Sequence, residues 1–329
     1  MTRPRRRGPP APRTVGEWWR DLERRFAAAR LAFGHGTHNA RDEAAWLVCS
    51  ALGIGFGALD GALARPVAGA DARRLASLAR RRIETRAPLA YLLREAWLQD
   101  HRFYVDARVI VPRSHIAELL PAGLAPWLAG RPVRRILDLC TGSGCLAILA
   151  ALAYPRASVD ASDVSAAALA VARRNVADYG LAPRVRLARS DLFAALADAR
   201  YDLILSNPPY VTRASMRALP REYRHEPRLA LAGGRDGLDV VRRIVAGAAD
   251  RLAEDGVLVV EIGAGRRVLE RAFPRTPFTW LRTTGADDGV FLLRRAELPP
   301  GFRGEAKPDA REVQRRRARG AASQRKVGP

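Results

Sequence analysis

Residues 134–145 read RRILDLCTGSGC, and this stretch decides the fold. The apolar residues around Asp138 predict a buried strand, Gly142 and Gly144 predict a tight turn, and the Ala- and Leu-rich residues 145–153 predict a helix. Glycines let the main chain approach a ligand closely, and the first N–H groups of a helix attract an anionic group. The third glycine of the dinucleotide fingerprint is missing, since Leu146 and Ala147 stand where it falls, so pyrophosphate binding is not favoured.

Three further predicted strands lie downstream, and a polar residue follows each of them. The strands and these polar residues are 157–161 with Asp163, 185–188 with Asp191, and 203–205 with Asn207. Because strands alternate with helices, the sequence predicts an α/β fold with a parallel, Rossmann-like sheet whose carboxyl strand ends line one crevice. Asp163 follows the glycine turn by about twenty residues, the separation at which a carboxylate can accept hydrogen bonds from two ribose hydroxyls.

The tetrad Asn207-Pro208-Pro209-Tyr210 indicates chemistry on a planar NH2 group. Each proline fixes φ and lacks a donor, and a residue before proline is extended, so Asn207 presents its side chain at the strand end. Its amide oxygen and the Pro208 carbonyl can each accept one N–H of a substrate, while Tyr210 offers a flat face. With the ribose-binding acid, this predicts methylation of nitrogen by S-adenosylmethionine. The alternative is that Asn-Pro-Pro only starts a loop.

These motifs resemble the class I S-adenosylmethionine-dependent methyltransferases that modify glutamine side chains, the HemK/PrmC and PrmB group, and the match to the PrmB branch is closer. Three further stretches carry the resemblance, which covers roughly residues 15–297: they are 33–37 with 42–44, 103–114, and 222–227. His115 departs from the pattern, since a proline is common there. The resemblance implies N5-methylation of a glutamine in the large-subunit ribosomal protein L-three.

The resemblance also assigns site residues. It implies that the methyl acceptor is held by Asn207, Pro208, Pro209 and Tyr210. It implies that S-adenosylmethionine is bound by Asp138, Thr141, Gly142, Gly144, Asp163, Asp191 and Asn207, and it implies no metal.

The chain divides into five predicted parts. They are a basic disordered N-terminus at 1–13, an α-helical substrate-recognition domain at 14–87, a β-hairpin linker at 88–118, the methyltransferase domain at 119–297, and a basic disordered tail at 298–329. The hairpin is predicted to pair 102–105 with 109–111. Residues 278–282 and 289–293 are separated by a connection too short for a crossover helix, so the last strand is predicted to be antiparallel.

Composition sets limits on partners and compartment. The net charge of +22 suits nucleic acid, but Lys307 and Lys326 are the only lysines, so the excess of arginine indicates a bias of the whole sequence. The basic termini are expected to make weak contact with ribosomal RNA at most. The three cysteines, Cys49, Cys140 and Cys145, are too few for a disulfide framework. We expect a cytoplasmic monomer that does not enter a membrane.

Three alternatives remain at this stage. The tetrad also serves enzymes that methylate exocyclic amines of nucleic acid bases, although no base-reading module is recognisable in the rest of the chain. Peptide chain release factors are the substrates of the neighbouring branch of the family, so they are a second candidate. A non-catalytic assembly factor that keeps the fold is the third, and the intact tetrad speaks against it.

Overall fold

The computed structural model describes residues 13–196, 198–284 and 286–299. The predicted disordered tails lie outside these ranges except at their inner ends, where both boundaries are wrong by one or two residues. The Arg13 carbonyl accepts a hydrogen bond from the Val67 N–H at 2.8 Å, and the Arg13 guanidinium lies 3.2 Å from the Asp21 carboxylate. Leu298 is buried against the core of the sheet. Arg13 and Leu298 therefore belong to the fold.

The N-terminal region is helical, as the spacing of its apolar residues predicts. Its helices are α1 (Val15–Ala28), α2 (Ala40–Leu52), α3 (Leu59–Ala62), α4 (Gly69–Thr85) and α5 (Leu89–Leu93), with a 3-10 turn at Phe56–Ala58. Thr14 and Glu17 form a capping box that starts α1, and Gly53 in the left-handed conformation ends α2. Trp18 packs inward with Leu22 and Phe26 in the core of this region.

The linker contains a hairpin, but its strands differ from those predicted. Strand β1 (Ala96–Leu98) pairs antiparallel with β2 (His101–Phe103), and Gln99 and Asp100 turn the chain with positive φ. Residues 109–111 form no strand. Val109 and Val111 are instead buried in the core of the helical region, and the Val111 N–H donates to the Glu226 carboxylate at 2.9 Å. Contacts with the helical region and with Glu226 have therefore overridden the strand preference of residues 109–111.

A seven-stranded sheet forms the rest of the fold, in the order β5-β4-β3-β6-β7-β9-β8. The strands are β3 (Arg135–Leu139), β4 (Ser158–Asp163), β5 (Val185–Arg189), β6 (Tyr201–Ser206), β7 (Leu252–Glu261), β8 (Thr279–Thr283) and β9 (Ala286–Arg294). Strands β3 to β7 pair in parallel, and β9 lies antiparallel between β7 and β8. The predicted class I methyltransferase sheet with an antiparallel last strand is confirmed.

Helices cover both faces of this sheet. The helices of this part of the chain are α6 (Ile116–Leu119), α7 (Cys145–Ala153), α8 (Ala166–Asp178), α9 (Arg213–Ala218), α10 (Arg228–Leu231), α11 (Asp239–Ala248) and α12 (Arg266–Ala272), with 3-10 turns at Arg221–His225 and Arg295–Glu297. Successive side chains of β3 point to opposite faces: Ile136 packs with α7 on one face and Leu137 with α11 on the other. Ala168 and Val171 of α8 join the core of the helical region, so the two domains share apolar packing.

Across the described ranges, no single helix is both long and apolar enough to cross a membrane. One helix pair, Ala40–Leu52 with Phe56–Ala62, meets that requirement jointly by length and composition, with a bend of 96° between its two parts.

Candidate active site

The carboxyl ends of four parallel strands enclose a cleft of about 260 Å³. The strand register brings Leu139, Ser162 and Ser206 side by side, so the segments that follow β3, β4 and β6 meet at one edge of the sheet. Residues 108–110 of the linker, together with Pro227, Leu229 and Ala230, line another part of its wall. Of the predicted cofactor-binding residues, those that line this cleft are Gly142, Asp163, Asp191 and Asn207.

Asp163 joins the glycine turn to the start of α8. One carboxylate oxygen accepts from the Gly142 N–H at 3.0 Å, and the other accepts from the Ser165 N–H at 2.8 Å. Burial raises the pKa of Asp163, although the main-chain donors of Ser165 and Gly142 oppose that rise. Asp191 lies across the cleft, 2.9 Å from the guanidinium of Arg243. The cleft therefore presents two carboxylates that can accept hydrogen bonds from a ligand.

The other three predicted cofactor residues lie behind the cleft wall. Asp138 is fully buried and accepts from the Thr141 hydroxyl at 2.5 Å and from the Ala147 N–H at 3.1 Å. Burial raises the pKa of Asp138 to about 7. Gly144 has φ +80, and a Cβ there would lie 3.1 Å from the Ala172 Cβ of α8. In this geometry these residues shape the turn and the start of α7, while Gly142 lines the cleft itself.

Asn207 lies where the cleft meets a second cavity of about 150 Å³. Strand β6 ends at Ser206, whose hydroxyl donates to the Leu139 carbonyl at 2.9 Å, so the strand end is fixed immediately before the tetrad. Asn207 lines both cavities, Pro209 the first, and Pro208 and Tyr210 the second. No hydrogen-bond partner for the Asn207 amide exists among the described residues. Its acceptor oxygen is therefore available to a substrate.

Three glycines that the sequence argument overlooked hold Tyr210 tightly. A Cβ would lie 2.7 Å from the Tyr210 Cα at Gly233, 2.5 Å from the Tyr210 carbonyl oxygen at Gly237, and 2.9 Å from the Tyr210 ring at Gly263. Any larger residue would displace the tyrosine. For Gly233 and Gly237 the sequence holds a signal, because residues 232–238 read AGGRDGL soon after the tetrad.

Glu261, at the end of β7, connects Tyr210 to the linker. Its carboxylate accepts from the Tyr210 hydroxyl at 3.3 Å, the Ser114 hydroxyl at 2.7 Å and the His115 N–H at 2.8 Å. Burial raises the pKa of Glu261 and is opposed by those donors, and burial likewise raises the pKa of Tyr210. The carboxylate thus orients the ring that bounds the second cavity.

A buried ion pair fixes the linker against the segment that follows the tetrad. The Glu226 carboxylate accepts two bonds from Arg113, at 2.6 and 2.7 Å, and one from the Val111 N–H at 2.9 Å. His35 lies 3.6 Å away from the same carboxylate. Burial raises the pKa of Glu226, but the His35 ring and the Arg113 guanidinium outweigh it and lower that pKa to about 2.

A second buried carboxylate, Glu222, contacts the helical domain. It lies 2.9 Å from Arg86 Nε and 3.8 Å from Arg82, and it accepts from the Ala32 N–H at 3.0 Å. Arg82 is fully buried and also binds Glu43 at 2.6 Å. The three stretches 33–44, 103–114 and 222–227 therefore meet in one interface. Nothing in the sequence distinguishes Arg82 from its exposed neighbours in an arginine-rich helix.

Comparisons with known proteins agree with this arrangement. A family model described as "Methyltransferase small domain" matches residues 122–220. The ribosomal protein uL3 glutamine methyltransferase of Bordetella pertussis is 56% identical over 284 residues, which cover 85% of this chain and 95% of the relative. The proteins of the same name from Burkholderia pseudomallei and Neisseria meningitidis serogroup A are each 51% identical, covering 87% of this chain and 96% and 94% of the relatives.

Proposed function

The chain belongs to the family of ribosomal protein uL3 glutamine methyltransferases, and from this premise we propose that it transfers a methyl group from S-adenosylmethionine to the N5 nitrogen of a glutamine in ribosomal protein uL3. The observation that carries the proposal is the position of Asn207, which lines both the carboxylate-bearing cleft and the adjoining cavity. A group held by Asn207 lies next to both the cleft and the second cavity. The relatives favour glutamine over a nucleic acid amine and favour uL3 over release factors.

The donors and acceptors of the cleft fit S-adenosylmethionine. Asp163 can accept bonds from two ribose hydroxyls, and Asp191 can accept from an amine. Gly142, at φ +56, brings the main chain close to the ligand without a side chain between them. Val109, Val164 and Leu192 supply apolar surface for a planar ring. When bound, S-adenosylmethionine supplies an electrophilic methyl group on a positively charged sulfur.

The tetrad prepares the glutamine nitrogen for attack. An amide nitrogen is a poor nucleophile because its lone pair is delocalised into the carbonyl. The Asn207 oxygen and the Pro208 carbonyl would each accept one N–H, which directs the lone pair toward the cleft. Tyr210 would stack on the amide plane while Glu261 holds its hydroxyl. Orientation of this kind contributes up to about 7–11 kcal/mol in well-ordered systems.

The site needs no strong base for this reaction. Once methylated, the nitrogen carries a positive charge and becomes acidic, so its proton can leave to water after the methyl group has moved. Glu261 is occupied by the Ser114 hydroxyl and the His115 N–H as well as by Tyr210. Its role in the proposal is to fix the ring position.

Substrate selection is proposed to come from the surfaces around the second cavity. Arg113 of the linker and Tyr223 line that cavity, and Tyr223 lies against His35 of the helical domain with ring centroids 4.3 Å apart. This contact supports a role for the helical domain, 14–87, in positioning the protein substrate. A substrate of this class is assembled in the cytoplasm, where we propose that the enzyme acts. The monomeric state and the weak RNA contact of the termini stay predictions.

We predict that uL3 is methylated at least a hundredfold faster than a release factor, although both present a glutamine. The gap corresponds to about 2.7 kcal/mol in transition-state binding and must come from surfaces outside the tetrad. The two purified proteins are incubated with the enzyme and cofactor, and tryptic peptides are analysed by mass spectrometry for a methyl group on glutamine. Methylated release factor beside unmodified uL3 would overturn the substrate while leaving the chemistry intact.

We predict that Asp163→Ala raises the dissociation constant of S-adenosylmethionine by roughly tenfold or more, because a charge-assisted bond is worth about 1.5–3 kcal/mol. Titration calorimetry measures this directly. Asp160→Ala serves as the control, since Asp160 is bound by Arg186 and Tyr201 and lies outside the cleft lining. If the titration of Asp163→Ala matches that of the wild type, the ribose contact belongs elsewhere, with Asp191 the next candidate.

A further inference from the structure

Residues 213–228 carry an exposed arginine at every third or fourth position. We call these five side chains the arginine rim: Arg213, Arg217, Arg221, Arg224 and Arg228. Within the part of the chain that the structure describes, none of the five has a hydrogen bond, an ion pair or a ring contact through its side chain. Five guanidinium groups therefore present all their donors outward from one short segment.

The acids of the same segment leave this charge uncompensated. Glu222 and Glu226 are both buried and turn inward, where Glu222 lies 2.9 Å from Arg86 and Glu226 lies 2.6 Å from Arg113. On the other side of the cleft, exposed arginines do have acidic partners, as Arg243 does with Asp191 at 2.9 Å. The five exposed charges of this segment therefore have no acidic side chain of the same segment to offset them.

The arginine rim belongs to a segment that also forms part of the wall of the cavity that we assign to the glutamine. Leu219 and Tyr223 of this segment line that cavity. His225 lies 2.9 Å from the Thr85 carbonyl at the end of α4, which joins the segment to the helical domain. The outer face of α4 adds four exposed arginines that also lack partners among the described residues: Arg73, Arg74, Arg80 and Arg81.

We propose that the arginine rim binds the phosphate backbone of an RNA next to the substrate cavity. A row of like charges requires an extended polyanion, and planar guanidinium groups match phosphate oxygens in pairs. An acidic peptide shares the sign of charge, but a ribosomal substrate is accompanied by RNA during assembly. The choice of RNA over an acidic peptide rests on the proposed function. The enzyme would accordingly take its glutamine from a protein that already contacts RNA.

The direct test compares two triple variants of the full chain. The rim variant carries Arg217→Gln, Arg221→Gln and Arg224→Gln. The control carries Arg134→Gln, Arg156→Gln and Arg275→Gln, which precede β3, β4 and β8 at the opposite edge of the sheet; their side chains are also exposed and make no hydrogen bond or ion pair within the described ranges. Both variants lose the same charge. Since all six side chains are exposed, both should melt at the wild-type temperature.

Binding of a labelled single-stranded RNA of mixed sequence is measured by fluorescence anisotropy over a range of salt concentrations. The rim variant should bind at least tenfold more weakly at low salt, and the slope of log K against log salt should fall by about 2, because three phosphate contacts are lost. The control should match the wild type. Equal losses in the two variants, an unchanged rim variant, or tighter binding of polyglutamate than of RNA would each overturn the proposal.

A turnover assay separates this inference from the proposed function. The rim variant should methylate a short glutamine peptide of uL3 at the wild-type rate, but uL3 bound to a ribosomal RNA fragment at least tenfold more slowly. If the wild type methylates neither substrate while the rim variant still loses RNA affinity, the proposed function fails and the RNA surface stands. If the rim variant methylates the RNA-bound protein at full rate, the surface has no part in substrate delivery.

Discussion

Asn207→Ala is expected to lower the rate of methyl transfer by at least a hundredfold while leaving the dissociation constant of S-adenosylmethionine within a few-fold of the wild type. The substrate N–H that loses its acceptor in a closed site costs about 1–3 kcal/mol, and the lost orientation of the lone pair adds to that barrier. Binding changes little, because Asp163 and Asp191 line the cleft independently of Asn207. Single-turnover rates and calorimetry measure the two quantities separately.

Asn207→Asp is the matched variant for this experiment. It keeps a side-chain oxygen at the same position, so it should retain more activity than Asn207→Ala if hydrogen-bond acceptance is the function of the residue. Equal losses in the two variants would indicate that the amide group itself or its neutral charge is required. Retention of more than a tenth of the wild-type rate by Asn207→Ala would contradict the role of the residue altogether.

The sequence predicted the sheet and the strand-end residues well, because both depend on local rules. Apolar runs predict strands, glycines predict the turn at 142–144, and proline constrains Asn207. In a parallel sheet, residues that follow consecutive strands must meet at one edge, so Asp163 and Asn207 could be brought together without coordinates. What a local rule leaves open is the direction of each side chain: the buried side chain of Asp138 accepts from Thr141 and Ala147 behind the cleft wall.

The hairpin shows where local rules fail. Residues 109–111 are β-branched and apolar, as strand residues often are, but the Val111 N–H is satisfied by Glu226, which is 115 positions further along the chain. Arg82, Glu43 and Glu222 are joined in the same manner across long separations. Pairing between buried ions is decided by the packing of domains, and a single sequence in which arginine is abundant gives no sign of which arginine is buried.

Glu226→Ala is expected to lower the free energy of unfolding by about 3–5 kcal/mol at neutral pH, the usual effect of removing one member of a buried ion pair. The variant leaves the Val111 N–H without its acceptor and removes both carboxylate oxygens that accept from the Arg113 guanidinium. The surface variant Asp178→Ala, which removes a partner of Arg174 where both side chains are more than half exposed, should change stability little. Urea denaturation measures both, and a loss below about 1 kcal/mol for Glu226→Ala would show that the pair is dispensable.

The pH dependence of the same pair gives an independent check. Glu226 has a pKa of about 2 in the folded protein, against an ordinary value of 4.5. Its contribution to the free energy of unfolding is therefore fully present above pH 4.5 and is lost as the pH falls toward 2. The difference in the free energy of unfolding between wild type and Glu226→Ala should therefore shrink as the pH falls from 4.5 toward 2. Ile110, next to Val111, lines both cavities. Loosening this pair should therefore raise two constants together: the dissociation constant of S-adenosylmethionine and the KM for the glutamine substrate. A variant that lost stability but kept both constants would show that the pair holds the domains together without shaping the site.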